Sequence, residues 1–165
     1  MNAAREPRLD LTPFAPTDAR AMCEIDGDPE HQRRFDFPGG FVPPLGHSAA
    51  TIARWDAERA AGSRFVFAVR DHATGELVGG CELEPDGEGT ANLSFWTHPR
   101  HRQRGVASEA VRQLRARAFA EFGFRRVELV ADPDNVASRR IAIRNGFVEA
   151  GVQDGRVLHV LSAGE

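Results

Sequence analysis

The stretch Phe95-Trp96-Thr97-His98-Pro99-Arg100-His101-Arg102-Gln103-Arg104-Gly105-Val106-Ala107 is the part of this sequence best suited to hold an anion. It joins an apolar run that reads as a strand to the start of an amphipathic helix. The first amides of a helix lack intrahelical partners, and the helix dipole adds partial positive charge at the same place. A turn of such N–H groups is a natural seat for a diphosphate. Gly105 admits conformations and a close approach that a side chain would hinder. Ala107 keeps the helix entrance narrow, and Arg102 and Arg104 add charge nearby. As a bare pattern Arg-x-x-Gly-x-Ala is weak; its place between strand and helix gives it weight.

A second group lies downstream: Asn135-Val136-Ala137-Ser138, then Arg139 and Arg140, then Arg144-Asn145-Gly146-Phe147. An Asn amide both donates and accepts, matching the amides of a pantetheine arm. Ser138, one turn on, carries a hydroxyl suited to the sulfur at the end of such an arm. Glu82 and Glu84 alternate on one face of a strand, and either could take a proton through water; Glu82 is favoured, with geometry deciding before acidity. His98 and His101 read as surface residues on the rim of the loop.

The elements that must position these groups follow from period and turn chemistry. Residues 1–7 read as frayed. Leu9 and Leu11 suit a short edge strand ended by Pro13 and Pro16. Thr17 or Asp18 caps a helix running to about Ile25, Asp36–Pro44 is a loop, and Ser48 caps a second helix carrying Ile52 and Trp55. Phe65–Val69, Leu77–Glu84 and Ala91–Thr97 form an antiparallel meander. Val106–Phe122 is an amphipathic helix, Arg126–Ala131 a strand, and Val136–Arg144 a helix closed by Asn145-Gly146. Phe147–Val152 and Arg156–Leu161 flank Asp154-Gly155, a type I′ hairpin signal. The result is a mixed α/β chain of one domain over residues 1–165, a sheet with helices on its faces.

Composition excludes several chemistries. All 21 basic residues are arginine, so a Walker A lysine, a Schiff-base lysine and a lysine base are ruled out within this chain. Tyrosine is absent too, which removes phenol as an acid. A net charge of −3 gives no reason to expect nucleic acid as a partner. No apolar run approaches the roughly 18 residues of a bilayer span, so no membrane partner is expected. The N-terminus lacks a secretory h-region, and Cys23 and Cys81 lack metal-ligand spacing. A cytoplasmic protein without a metal is the expectation.

With these residues in place, the chain resembles the GNAT superfamily of N-acetyltransferases, and within it the RimJ/RimL-like branch. The resemblance rests on the loop Arg102–Ala107, the Trp96/Pro99 strand end, Asn135 with Ser138, the closing Arg144-Asn145-Gly146-Phe147, and the opening Leu9–Asp18 with Pro13 and Phe14. It implies a mostly antiparallel sheet splayed beside Ala91–Thr97, with acetyl-CoA as cosubstrate in the gap. It also implies backbone contacts to pantetheine from Phe95, Trp96 and Thr97, and to pyrophosphate from Arg102, Gln103, Arg104, Gly105, Val106 and Ala107. Asn135 matches the family's pantetheine ligand, and Ser138 the hydroxyl that protonates the departing thiolate.

Two departures bear on mechanism. Where many members carry a Glu early in the strand, this chain has Asn92, and the Tyr used as general acid is missing. The expected reaction is direct attack of a neutral amine on the thioester. The acceptor would be a small-molecule or peptide amine, selected by the Pro29–Trp55 stretch and the C-terminal hairpin. The alternative is a module of the same fold that binds acyl-CoA but has lost catalysis. An exposed sheet edge would permit a homodimer.

Overall fold

Apolar residues on both faces of one strand explain how two cores share a single sheet. Along Phe65–Asp71 (β2), Val66 and Ala68 point to one side and Phe67 and Val69 to the other, as the two-residue period requires, and all four are buried. The computed structural model describes residues 5–44 and 46–164, so the expectation of fraying over residues 1–7 falls largely outside the described residues.

The other strands are Leu9–Thr12 (β1), Leu77–Pro85 (β3), Thr90–Thr97 (β4), Arg126–Ala131 (β5), Val148–Gln153 (β6) and Arg156–Ser162 (β7). They form one seven-stranded sheet in the order β1-β2-β3-β4-β5-β7-β6. Every neighbouring pair is antiparallel except β4 with β5. The helices are Ala19–Asp26 (α1), Pro29–Arg34 (α2), His47–Ala61 (α3), Val106–Ala120 (α4) and Val136–Arg144 (α5). The mixed α/β class and its largely antiparallel sheet agree with the sequence reading.

One face of the sheet is covered by α4, whose stripe Val106, Ala110, Val111, Leu114 and Ala118 packs on Leu83, Leu93, Val127 and Leu129. Each fully buried Val or Leu there contributes about 1.5–3 kcal/mol. On the other face Met22, Ile25 and Ile52 of α1 and α3 pack with Phe14 against Val66, Ala68 and Leu77. The hairpin between β6 and β7 turns through Asp154 and Gly155, with φ of 49° and 78°, the paired positive values of a type I′ turn.

Four local expectations change. Asp28, followed by Pro29, caps a short helix, α2, that the sequence reading left out; the Asp28 carboxylate accepts from the His31 N–H at 2.9 Å. Six residues are too few to display a helical period. Helix α3 is capped by Gly46 in the left-handed conformation, φ 83°, so Ser48 lies inside its first turn with a buried hydroxyl that has no partner among the described residues. Asp18 does precede α1, but its carboxylate is held by Arg70 and by the Ala15 N–H rather than by the helix. Helix α4 stops at Ala120 instead of Phe122, because Gly123 turns the chain and Phe122 stacks on Phe65, with ring centroids 4.4 Å apart.

Candidate active site

The parallel contact between β4 and β5 is short. Thr90, Ala91 and Asn92 pair with Arg126, Val127 and Glu128, and there the ladder ends. Beyond it β4 pairs only with β3, through Thr97 opposite Gly79. The peptide groups of Leu93–Thr97 that point toward β5 therefore have no strand partner, and the sheet opens into a cleft. Phe95, Trp96 and Thr97 form its edge. Successive side chains here go to opposite sides: Leu93 and Phe95 join the core under α4, while Ser94 and Trp96 line a cavity on the other face.

Past the end of β4, a 3-10 turn over Pro99–His101 leads into the loop before α4. Gln103 and Gly105 both adopt positive φ, 61° and 77°, and Gly105 is the helix N-cap. This geometry turns the chain so that none of the backbone N–H groups of residues 102–108 donates to another described residue. The 15-residue α4 aims its positive end at the same place. Arg104 is exposed. Arg102 is not free: its guanidinium donates to the Asp28 carboxylate at 2.6 Å, tying the loop to the start of α2. Burial pushes the Asp28 carboxyl up, but hydrogen bonds from Arg102 and the His31 N–H outweigh it and hold the group below its ordinary value.

Across the cleft, β5 ends at Ala131 and α5 begins at Val136. Asn135 is the N-cap of α5, its side-chain oxygen accepting from the Ser138 N–H at 3.2 Å. That leaves the Asn135 amide NH2 and the half-buried Ser138 hydroxyl without protein partners among the described residues. The helix closes as expected, with Gly146 at φ 85° and the Phe147 N–H donating to Ala142 at 3.0 Å.

The cavity on the far face of β3 and β4 has a volume of about 230 Å³. Glu82 lies in its wall, but both of its oxygens are taken: Arg64 donates to each at 2.9 Å, and Ser94 donates to Oε1 at 2.9 Å. Glu84, the other sequence candidate, is exposed and does not line the cavity. Trp96 crosses the sheet over Gly80, where a Cβ would overlap its indole ring. Trp55 lines the cavity as well, and its buried indole N–H has no acceptor among the described residues. Cys81 is fully buried, and burial pushes its thiol well above the usual range.

Among the polar residues of this cavity that the sequence reading missed are Asp26, His31 and His47. They come from the end of α1, from α2 and from the first turn of α3, so no local spacing links them. His31 Nε2 and His47 Nε2 stand 3.8 and 3.7 Å from the Asp26 carboxylate. Burial lowers His31 to about 4, with Asp28 opposing and Arg102 adding to the effect, and its ring stacks on Phe35. Burial raises the Asp26 carboxyl, partly offset by His47. The one sequence signal for this region was Asp28-Pro29, a cap followed by proline at the first helical position.

The architecture has relatives. A family model described as an acetyltransferase (GNAT) domain matches residues 8–148. RimJ from Mycobacterium smegmatis, solved with CoA-disulfide, superposes with a TM-score of 0.80 at 21% identity, over 94% of this chain and 82% of that one. RimL, a ribosomal L7/L12 alpha-N-protein acetyltransferase solved with coenzyme A, gives 0.80 at 16% identity, over 93% of each chain. Spermidine N-acetyltransferase from Vibrio cholerae, solved with CoA and spermine, gives 0.76 at 16% identity, over 93% and 95%. No curated protein sequence matches the chain. The structural likeness is one of fold, and the family model spans the cleft edge, the amide-lined loop and the Asn135 cap together: this chain belongs to the GNAT acetyltransferase family.

Proposed function

We propose that the chain is a single N-acetyltransferase domain of the RimJ/RimL-like kind, carrying acetyl from acetyl-CoA to a primary amine within a ternary complex. One observation carries the proposal: the cleft where β4 leaves β5 faces a loop whose amides, residues 102–108, have no acceptor among the described residues. Unpaired backbone donors at a helix start suit a diphosphate, and a strand edge without a partner suits the two amides of pantetheine. In this reading Arg102, Gln103, Arg104, Gly105, Val106 and Ala107 hold the pyrophosphate, while Phe95, Trp96, Thr97 and Asn135 hold the arm.

The amine attacks the thioester carbonyl directly, a β4 N–H polarises that carbonyl, and holding the two reactants together supplies up to ~7–11 kcal/mol. Ser138 gives a proton to the departing thiolate. Glu82 takes a proton from the reacting nitrogen through water. An acyl-cysteine is unnecessary, and the buried, weakly acidic Cys81 thiol is a poor nucleophile for one. The exposed edge strand β6, with Val148 and Val152 uncovered, is the proposed contact of a homodimer.

Calorimetry with acetyl-CoA tests the reading, combined with thiol release across a panel of amines. The wild-type chain is expected to bind acetyl-CoA. Gly105→Glu should abolish binding, since it forces a side chain into φ 77° and sets a negative charge against the phosphates. Unchanged affinity in that variant would refute the pyrophosphate placement. The tight Arg64 clamp on Glu82 and the lack of tyrosine favour one other reading, a module that binds acyl-CoA without turnover. Binding with no thiol release from any amine would select it.

A further inference from the structure

The cavity on the α1–α3 face holds a carboxylate that accepts no hydrogen bond from the described residues. Asp26 is only 8% exposed, yet no donor among the described residues reaches its carboxylate within hydrogen-bond distance. The nearest cationic candidates, His31 and His47, stand beyond that distance. A buried, unpaired carboxylate is costly unless something supplies donors and countercharge. Glu82, in the same wall, shows the contrast, with Arg64 and Ser94 on its oxygens. Around Asp26 the walls are aromatic: His31, Phe35, Phe37, Trp55 and Trp96. His31 is neutral at ordinary pH and so does not act as the missing cation.

We propose that Asp26 binds the ammonium group of the acceptor and takes its first proton, and that the acceptor is a compact primary amine with an aromatic or apolar body. This rests on the acetyltransferase reading and names the substrate class of the same site. An ammonium donates what the Asp26 oxygens lack, and cations are further favoured over aromatic faces. Among the described residues the cavity of about 230 Å³ has Asp26 and Glu82 as its acids, and Glu82 is paired with Arg64, so a polyamine would find no row of countercharges for its further nitrogens.

Proton bookkeeping is simple. The ammonium gives one proton to Asp26, which frees the nitrogen lone pair to form the C–N bond. The C–S bond then breaks, the thiolate receives a proton, and the second nitrogen proton leaves through water. Burial raises the Asp26 carboxyl above its ordinary value, which makes the carboxylate a stronger base for this exchange. Besides Asp26, the charged and titratable groups facing the cavity are His31 from α2, His47 and Arg54 from α3, Arg64 before β2, and Cys81 and Glu82 from β3. His47, when protonated, competes with the amine for Asp26.

The test uses the full chain with phenethylamine, spermidine and a tripeptide as acceptors. Expected is a kcat/KM for phenethylamine at least about tenfold above the other two. Asp26→Asn should cut that value at least about a hundredfold and remove the acidic limb of its pH profile, while acetyl-CoA affinity stays within twofold by calorimetry. Asp26→Glu should restore part of the rate. A preference for spermidine or the tripeptide overturns the substrate class. An Asn variant as active as wild type, with an unchanged pH profile, overturns the role of Asp26. Should the variant fail to fold, the wild-type preference alone decides. Loss of acetyl-CoA binding in the wild type itself would instead sink the acetyltransferase reading, a result distinct from either.

Discussion

Gly80 shows how a single absent side chain shapes the cavity on the α1–α3 face. Its place on β3, opposite Trp96 on β4, lets the indole lie flat across the strand, where any Cβ would overlap the ring. Trp96 in turn packs at 6.0 Å from Phe14 and edge-on to His31. Gly80→Ala must push the indole aside, and overpacking of this kind costs about 1–3 kcal/mol. For a chain of this size the melting temperature should fall by about 2–4 °C per kcal/mol. Amine turnover should fall with it while acetyl-CoA affinity holds, since the added Cβ meets the Trp96 indole and leaves the main-chain groups proposed for the arm in place. A differential-scanning melt and paired calorimetry check both. Neither Gly80 nor Asp26 was legible in the sequence: a glycine in a strand announces a close approach without naming the partner. Gly105, Asn135 and Ser138 were legible because each sits at a helix start that local rules mark.

At the scale of elements, the sequence defined the strands and the two C-terminal helices nearly to the residue, since alternation and capping act over short distances. It fell short between Asp26 and Ile52. There the chain builds a wall from a six-residue helix and aromatic loop residues whose burial is settled only by tertiary contact. The separation of β4 from β5 makes its own prediction. Amides of Leu93–Thr97 facing the cleft should exchange with solvent fast, while those bonded to β3 are protected. Acetyl-CoA should slow the cleft-facing set by at least about tenfold. If mass-resolved exchange finds both sets equally protected before ligand is added, the cleft is closed in solution.

For the whole molecule, two buried groups of the same cavity respond to acid in opposite senses. His31 falls from 6.5 to about 4 on folding, so the unfolded chain takes up its proton first. Stability from this group is present above the unfolded value and is lost as pH falls from about 6.5 to about 4, at most on the order of 3 kcal/mol. Asp26 is raised by folding, so the folded chain holds its proton more tightly and gains stability as pH falls through that raised value. Asp26→Asn should therefore melt higher than wild type at neutral pH and lose more stability on acidification. His31→Asn should flatten the acid limb. Melting curves between pH 4 and 8 read both, and parallel curves for wild type and His31→Asn would refute the assignment of that limb. A buried carboxylate that its neighbours only partly offset lowers stability at neutral pH.

The Arg102–Asp28 clasp carries a consequence for timing. The carboxylate that fastens the loop before α4 also pins the first turn of the helix bearing His31, so loop and helix are joined at one oxygen. A phosphate that drew Arg102 toward itself would slacken the far chamber at the same moment. On the proposed reading, the donor's nucleotide end and the amine's chamber would be coupled through this one carboxylate.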